Sequence, residues 1–400
     1  MRARMEGRHL GGPLVWLAAA VWLWASQTAW AQSSLLGLKA GEEIRPERIQ
    51  ELYRKILTDW SAGQTDRAPD ELIELETTVV VDTDARTHKT LLKAEQEVIH
   101  QVGQADIEVL VPIAVLHHEA YRRLLARGGR GHALAMGHTR NMAKDLALLY
   151  QDQAGAEGAA LVASRLLTSL GGLLLQSAQQ LPAAAMFQKA IELDGHNVPA
   201  LLALSTVYEK NAQADSAIKL LRQALTAEPA NAEARLRLAL NLKRLDQTAE
   251  SQKLLEGLTA EKEATWVTPL AYQELARLAG DRGKSSEEEK VLRQAIERFP
   301  DDLRLRIQLA AVLDRRGAPG EATALVEKAL EASSDTGAKT GAKTGGEVSN
   351  ARYLYNAVRA DEFASTRAYL DENAKSRLQM LAQALSAPPA DAQTGTGVAR

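Results

Sequence analysis

Val198-Pro-Ala-Leu-Leu-Ala-Leu-Ser-Thr-Val-Tyr-Glu-Lys-Asn-Ala-Gln-Ala-Asp-Ser-Ala-Ile-Lys-Leu-Leu-Arg-Gln-Ala-Leu-Thr-Ala-Glu-Pro-Ala-Asn231 is the stretch that decides how this chain folds. Its pattern comes round five times between about Ser164 and Ala332. A small residue recurs early in each unit, at Gly171, Ser205, Ala239, Ala276 and Ala310, with a step of 34 residues that stretches once to 37. Later in the unit come a small residue (Ala183, Ala217, Ser251, Ala322), a large apolar one (Phe187, Leu221, Leu255, Leu292, Val326) and a second small one (Ala190, Ala224, Ala295, Ala329). Pro229 and Pro300 close two of the units.

This pattern resembles the tetratricopeptide repeat, a helix, turn, helix unit of about 34 residues. Small residues sit where two helix backbones approach closely, and the large one fills the gap between neighbouring units. Three departures stand out: Gly195 where proline is usual, Leu258 where alanine is expected, and Glu288 at the first small position of a second helix. The tryptophan the family often carries is absent; Leu167, Leu201, Arg235, Tyr272 and Arg306 stand there. The resemblance implies an all-α, right-handed α-solenoid and a surface for binding, but names no partner.

The first 31 residues have the layout of a secretory signal, with Arg2, Arg4 and Arg8 before an apolar run from Leu14 to Ala25 and Ala29-Trp-Ala31 before Gln32. Cleavage after Ala31 is expected, and the run is too short for a comfortable bilayer span. No second apolar span is read downstream. Removing the segment's charge of +2 takes the net charge from −3 to −5, which speaks against a general binder of nucleic acid or anionic membrane. With no cysteine in the chain, disulfides, thiolate metal sites and cysteine catalysis are excluded. The mature protein is expected to be periplasmic or secreted.

Residues 32–163 read as an N-terminal helical region. Pro46 opens an amphipathic helix through Ile49, Leu52, Tyr53, Ile56, Leu57 and Trp60. Asp70–Val81 is expected to be helical, although its β-branched end, Thr77-Thr-Val-Val-Val81, also suits a strand. Further helices are expected near 88–102, 107–126, 138–151 and 157–180, with a kink or break at Pro112. The repeats span 164–332. Residues 333–349 carry Thr336-Gly-Ala-Lys and its copy at Thr340 and are expected to be a flexible linker. Residues 350–386 are expected to cap the array helically, and 387–400 to form a disordered tail.

Candidate chemistry is thin. His100, His117, His118, His132 and His138 fall close together beside Glu119. His117 and His118 are adjacent and point about 100° apart on a helix, so both cannot easily face one ion. The zinc-protease spacing fails because Arg122 stands where a second histidine is needed. One of the pair is therefore read at the edge of the apolar stripe of Leu116, Ala120, Tyr121 and Leu124, and the other in solvent. Gly283-Lys-Ser285 imitates a phosphate loop, but Leu278 replaces the first glycine, and it reads as the turn within the fourth unit. No catalytic residue, metal or cofactor is assigned.

What remains is the groove lined by the first helices of successive units, the surface the family commonly uses. Transferring its groove positions gives Lys210, Arg237, Leu240, Lys243, Arg244, Arg277, Arg304 and Arg315 as candidate partner-binding residues. The lysine and asparagine positions that grip acidic chaperone tails hold Leu202, Thr206, Leu236 and Leu240 instead, so that clamp is absent. A mixed groove suits an extended or helical segment, apolar with some acidic residues. The same residues also fit a solvated helical surface, offset by Glu209, Glu233, Glu274 and Asp314. The expectation is a non-catalytic scaffold or adaptor in the cell envelope, with a protein or peptide partner, no nucleic acid and no membrane span once the signal is removed. A homo-oligomer stays open. The rival readings are a component of envelope polysaccharide export or assembly, and a metal-dependent enzyme using the histidine-rich N-terminal region.

Overall fold

Proline at position 46 starts the first helix where the missing N–H costs nothing, and the apolar stripe then decides which face is buried. The computed structural model describes residues 34–38, 44–79, 85–128, 133–155, 157–325, 327 and 366–386. The expected signal, the linker at 333–349, the first part of the cap region and the tail lie outside them. The described residues contain helices and no strand. The chain divides into two units, residues 1–166 together with 369–400, and residues 167–368.

In the N-terminal unit, α1 (Pro46–Ser61) buries Ile49, Leu52, Tyr53, Ile56, Leu57 and Trp60, the stripe its sequence predicts. α2 (Ala68–Val79) is helical through Thr77 and Thr78, so helix wins over the strand alternative. α3 (Ala85–Ala105) is followed by a single 3-10 turn, Ile107–Val109, where the Asp106 side chain accepts from Glu108 N–H. α4 (Leu110–Ala126) follows directly. Pro112 lies in the first turn of α4, where it is tolerated without a kink, and its carbonyl accepts a 2.9 Å bond from the Trp60 indole. α5 (Ala133–Ala154) pairs with α4, while α1 packs on α2 and α3, and α2 on α4.

Two expectations change here. His117 and His118 are 0% and 2% exposed, so neither lies in solvent or at a core edge. The reason is that α4 is covered on every side: each residue from Leu110 to His118 is buried. Residues 369–386 also group with the N-terminal unit, whereas 350–386 was expected to cap the array. The last helix there, α15 (Leu378–Ser386), packs on α1, α3 and the 3-10 turn, with Leu381 fully buried. Arg377 just before it donates to Glu108 Oε2 at 2.6 Å, and the Tyr150 hydroxyl donates to the same oxygen at 2.8 Å.

α6 (Glu157–Gln176) corrects a third reading, because residues 158–176 are long and apolar enough to cross a membrane. The segment is 72% buried within the folded protein, the ordinary state of a core helix.

The repeats run through α7 (Gln180–Leu193), α8 (Val198–Lys210), α9 (Ala214–Ala227), α10 (Ala232–Arg244), α11 (Thr248–Ala260), α12 (Thr268–Asp281), α13 (Ser285–Arg298) and α14 (Leu303–Arg315). Each first helix ends in the same turn. Ala178, Ala212, Asp246, Gly283 and Gly317 hold φ of 60°, 57°, 57°, 73° and 81° at equivalent places. The residue after each donates a 2.9 Å backbone bond five positions back, to Leu174, Tyr208, Leu242, Ala279 and Leu313 in turn, which satisfies carbonyls the helix end leaves open. Gly283-Lys-Ser285 is thus the turn between α12 and α13, as its sequence suggests. Starts repeat too: Asn197, Asn231 and Asp302 cap α8, α10 and α14, accepting from Ala200, Ala234 and Arg304 N–H at 3.2, 2.9 and 2.9 Å.

The small positions meet close neighbours. A Cβ at Gly171 would lie 2.6 Å from the Phe187 ring, so the glycine makes room for the aromatic. The departure at Glu288 has a matching one: a Cβ at Gly280 would lie 2.7 Å from the Glu288 carboxylate, which fills the space an alanine would leave. Leu258, the other large residue at a small position, is fully buried with Leu236, Ala239, Leu255, Val267, Ala271 and Leu278.

Candidate partner-binding face of the repeat array

The first helices α8, α10, α12 and α14 carry all eight candidate residues, but the fold uses them in two ways. Arg237 is 4% exposed and is spent inside the array. Its guanidinium donates to Leu202 carbonyl at 3.0 Å and Ser205 Oγ at 2.6 Å, and pairs with Glu233 at 3.2 Å and Glu209 at 3.0 Å. Asn241 Nδ2 donates to Glu209 as well, at 2.8 Å. A planar fork with five donors suits such a site, and lysine would not replace it.

Lys243 bridges α10 to α12, lying 3.5 Å from Glu274 and 3.2 Å from Asp281. Arg304 folds back on the cap of its own helix, 2.9 Å from Asp302. Leu240 is half-buried against the cluster of Leu236, Ala239 and Leu258. Arg237 and Lys243 thus tie successive first helices together, while Arg304 and Leu240 are held locally.

The other four stay outward. Lys210 and Arg244 are exposed. The Arg277 side chain is 58% exposed beside Glu274 at 3.0 Å, and Arg315 is 57% exposed, 2.9 Å from Glu288. Such exposed pairs contribute little to stability and reorganise readily. Ile307 on α14 is also exposed, an apolar point among the charges. The sequence reading passed over Ser205, Glu209, Glu233 and Asn241 as a connected group. Their signal was present, because Glu233 and Asn241 flank Arg237 at four-residue spacing and so share its face. Donor groups for a metal gather elsewhere, in the N-terminal unit.

Residues 210–265 match the family model described as the tetratricopeptide repeat. That segment is built of tetratricopeptide repeats. The matched segment covers one full step of the tetratricopeptide pattern and part of the next, and the left-handed turns carry the register on to Gly317. Among solved structures, a tetratricopeptide repeat protein from Parabacteroides merdae is 16% identical, with 68% of this chain and 98% of that one covered at a TM-score of 0.41. PilF of Pseudomonas aeruginosa is 17% identical, covering 55% of this chain and 95% of that one at 0.37. YrrB, described as having an unusual peptide-binding site, is 19% identical, covering 42% and 86% at 0.34. Likeness at this level does not extend to ligand or partner. No curated protein matches the chain.

Proposed function

We propose that this protein is an exported, non-catalytic adaptor of the cell envelope, which holds a partner protein through the face made by α8, α10, α12 and α14. The observation that carries this reading is the set of basic side chains left outward there, Lys210, Arg244, Arg277 and Arg315, beside exposed Ile307. Outward cations next to an apolar contact suit an extended or helical segment with acidic and apolar residues. The envelope location rests on the secretory layout of residues 1–31.

The test is a crosslinking pull-down from native envelopes with the wild-type chain beside a Lys210→Glu, Arg244→Glu, Arg277→Glu variant of unchanged circular dichroism. A partner held by the first and lost by the second supports the reading. Equal capture by both removes this face from the assignment, and a wild-type chain found in the cytoplasm removes the location.

A further inference from the structure

The core of the N-terminal unit holds a polar cluster that apolar packing does not explain. Glu76 on α2, Glu95 on α3, His117 on α4 and His138 on α5 are all between 0% and 3% exposed. The donor atoms of Glu76, Glu95 and His138 lie within 4.8 Å of one another. His138 Nε2 is 2.6 Å from Glu95 Oε2, and His117 Nδ1 is 3.4 Å from Glu76 Oε1.

Both oxygens of Glu76, Oε1 of Glu95 and Nδ1 of His117 make no hydrogen bond. Among the described residues, no lysine or arginine pairs with either carboxylate. Orphaned carboxylate oxygens in a dry core are costly, and two carboxylates side by side add repulsion.

The histidines are oriented from behind. His138 Nδ1 lies 3.1 Å from His88 Nε2, and His117 Nε2 lies 2.9 Å from the Tyr53 hydroxyl. In each ring the nitrogen turned away from the carboxylates already has a neutral partner. That leaves His138 Nε2 and His117 Nδ1 turned toward the cluster, the arrangement by which proteins fix the tautomer and direction of ligating imidazoles.

We infer that Glu76, Glu95, His117 and His138 bind one divalent first-row transition-metal cation in a closed site that staples α2, α3, α4 and α5. Two carboxylates balance its charge, and two imidazoles with no thiolate suit Zn²⁺, Mn²⁺ or Fe²⁺ over Ca²⁺ or Cu⁺. Tetrahedral bonds of about 2.0–2.1 Å separate neighbouring donors by roughly 3.3 Å. The His117–Glu76 pair at 3.4 Å already has that spacing. Three clustered donors, with His117 3.4 Å from Glu76 as the fourth and every one of them buried, describe a structural site, so it adds a stabilising role to the adaptor without making it an enzyme.

The experiment is elemental analysis and thermal unfolding of the full chain purified without chelator, beside Glu76→Gln and His138→Gln. The expected result is about one equivalent of Zn, Mn or Fe per chain, and a melting temperature that falls by roughly 4 °C or more on dialysis against EDTA and recovers on adding the metal. Both variants lose the metal and the EDTA response. If either variant does not fold, the visible bands of Co²⁺-loaded wild-type protein report the nitrogen and oxygen donors instead. A wild-type chain that holds no metal and does not respond to EDTA, Zn²⁺, Mn²⁺ or Fe²⁺ overturns the proposal. Metal retained in full by both variants overturns the site.

Discussion

The Phe187 ring occupies the place a side chain at position 171 would need, with ring atoms 2.6–2.9 Å from an ideal Cβ there. Gly171→Ala therefore overpacks the first repeat and is expected to cost about 1–3 kcal/mol. Urea unfolding followed by circular dichroism measures it, and adding Phe187→Leu should recover part of the loss. An alanine that costs nothing would show that the two helices can move apart freely.

Gly280 and Glu288 repeat this relation with a polar partner. Gly280→Ala alone should destabilise, whereas Gly280→Ala with Glu288→Ala restores the family's small-on-small packing. A double-mutant cycle should give a coupling of about 0.5–3 kcal/mol, and additive effects would mean the pair is not in contact.

The left-handed turns predict opposite signs for one exchange. Gly283→Ala or Gly317→Ala places a side chain at φ near 73° or 81° and should cost about 1–2 kcal/mol. Ala212→Gly relieves a φ of 57° and should be neutral or stabilising. Midpoints in urea at constant slope decide this, and a destabilising Ala212→Gly would contradict the strain argument.

Arg237 and Arg277 separate fold from surface. Arg237→Ala leaves Glu209 and Glu233 without their cation and should cost about 3–5 kcal/mol. Arg277→Ala, on an exposed side chain, should stay within about 0.5 kcal/mol. Partner capture should respond to Arg277 in a chain that unfolds like wild type.

Arg377 joins the C-terminal helix to Glu108 and Tyr150 through a partly exposed pair. Arg377→Ala should raise hydrogen exchange and early proteolysis around 366–386, with only a small change in overall stability. Unchanged protection there would place the anchoring in Leu370, Ala374 and Leu381 alone.

The repeat was legible because one period of 34 residues imprints on many positions at once, so the exceptions at Gly195, Leu258 and Glu288 could not hide it. The α1 stripe was legible for the same reason. Sequence could not tell Arg237 from Arg277, since both stand on first helices, and the burial of Arg237 depends on Ser205 and Glu209 of the preceding unit. Nor could it assemble the buried cluster, whose members Glu76, Glu95, His117 and His138 lie on four helices with no local spacing. Adjacent His117 and His118 argued against a shared ion on one helix, yet the neighbours of His117 lie on other helices. The C-terminal helix was misplaced because amphipathic residues announce that a face will be buried, not against what.

The division of the basic side chains also sets what this protein can become. Arg237 is bound to carboxylates from two successive repeats, so a change there is felt by the fold before any ligand can respond. Lys210, Arg244, Arg277 and Arg315 stand at the surface, the last two in exposed ion pairs. Descendants of this chain can therefore exchange partners by drifting at those outward positions, while the interior arginine keeps its identity through every change of allegiance.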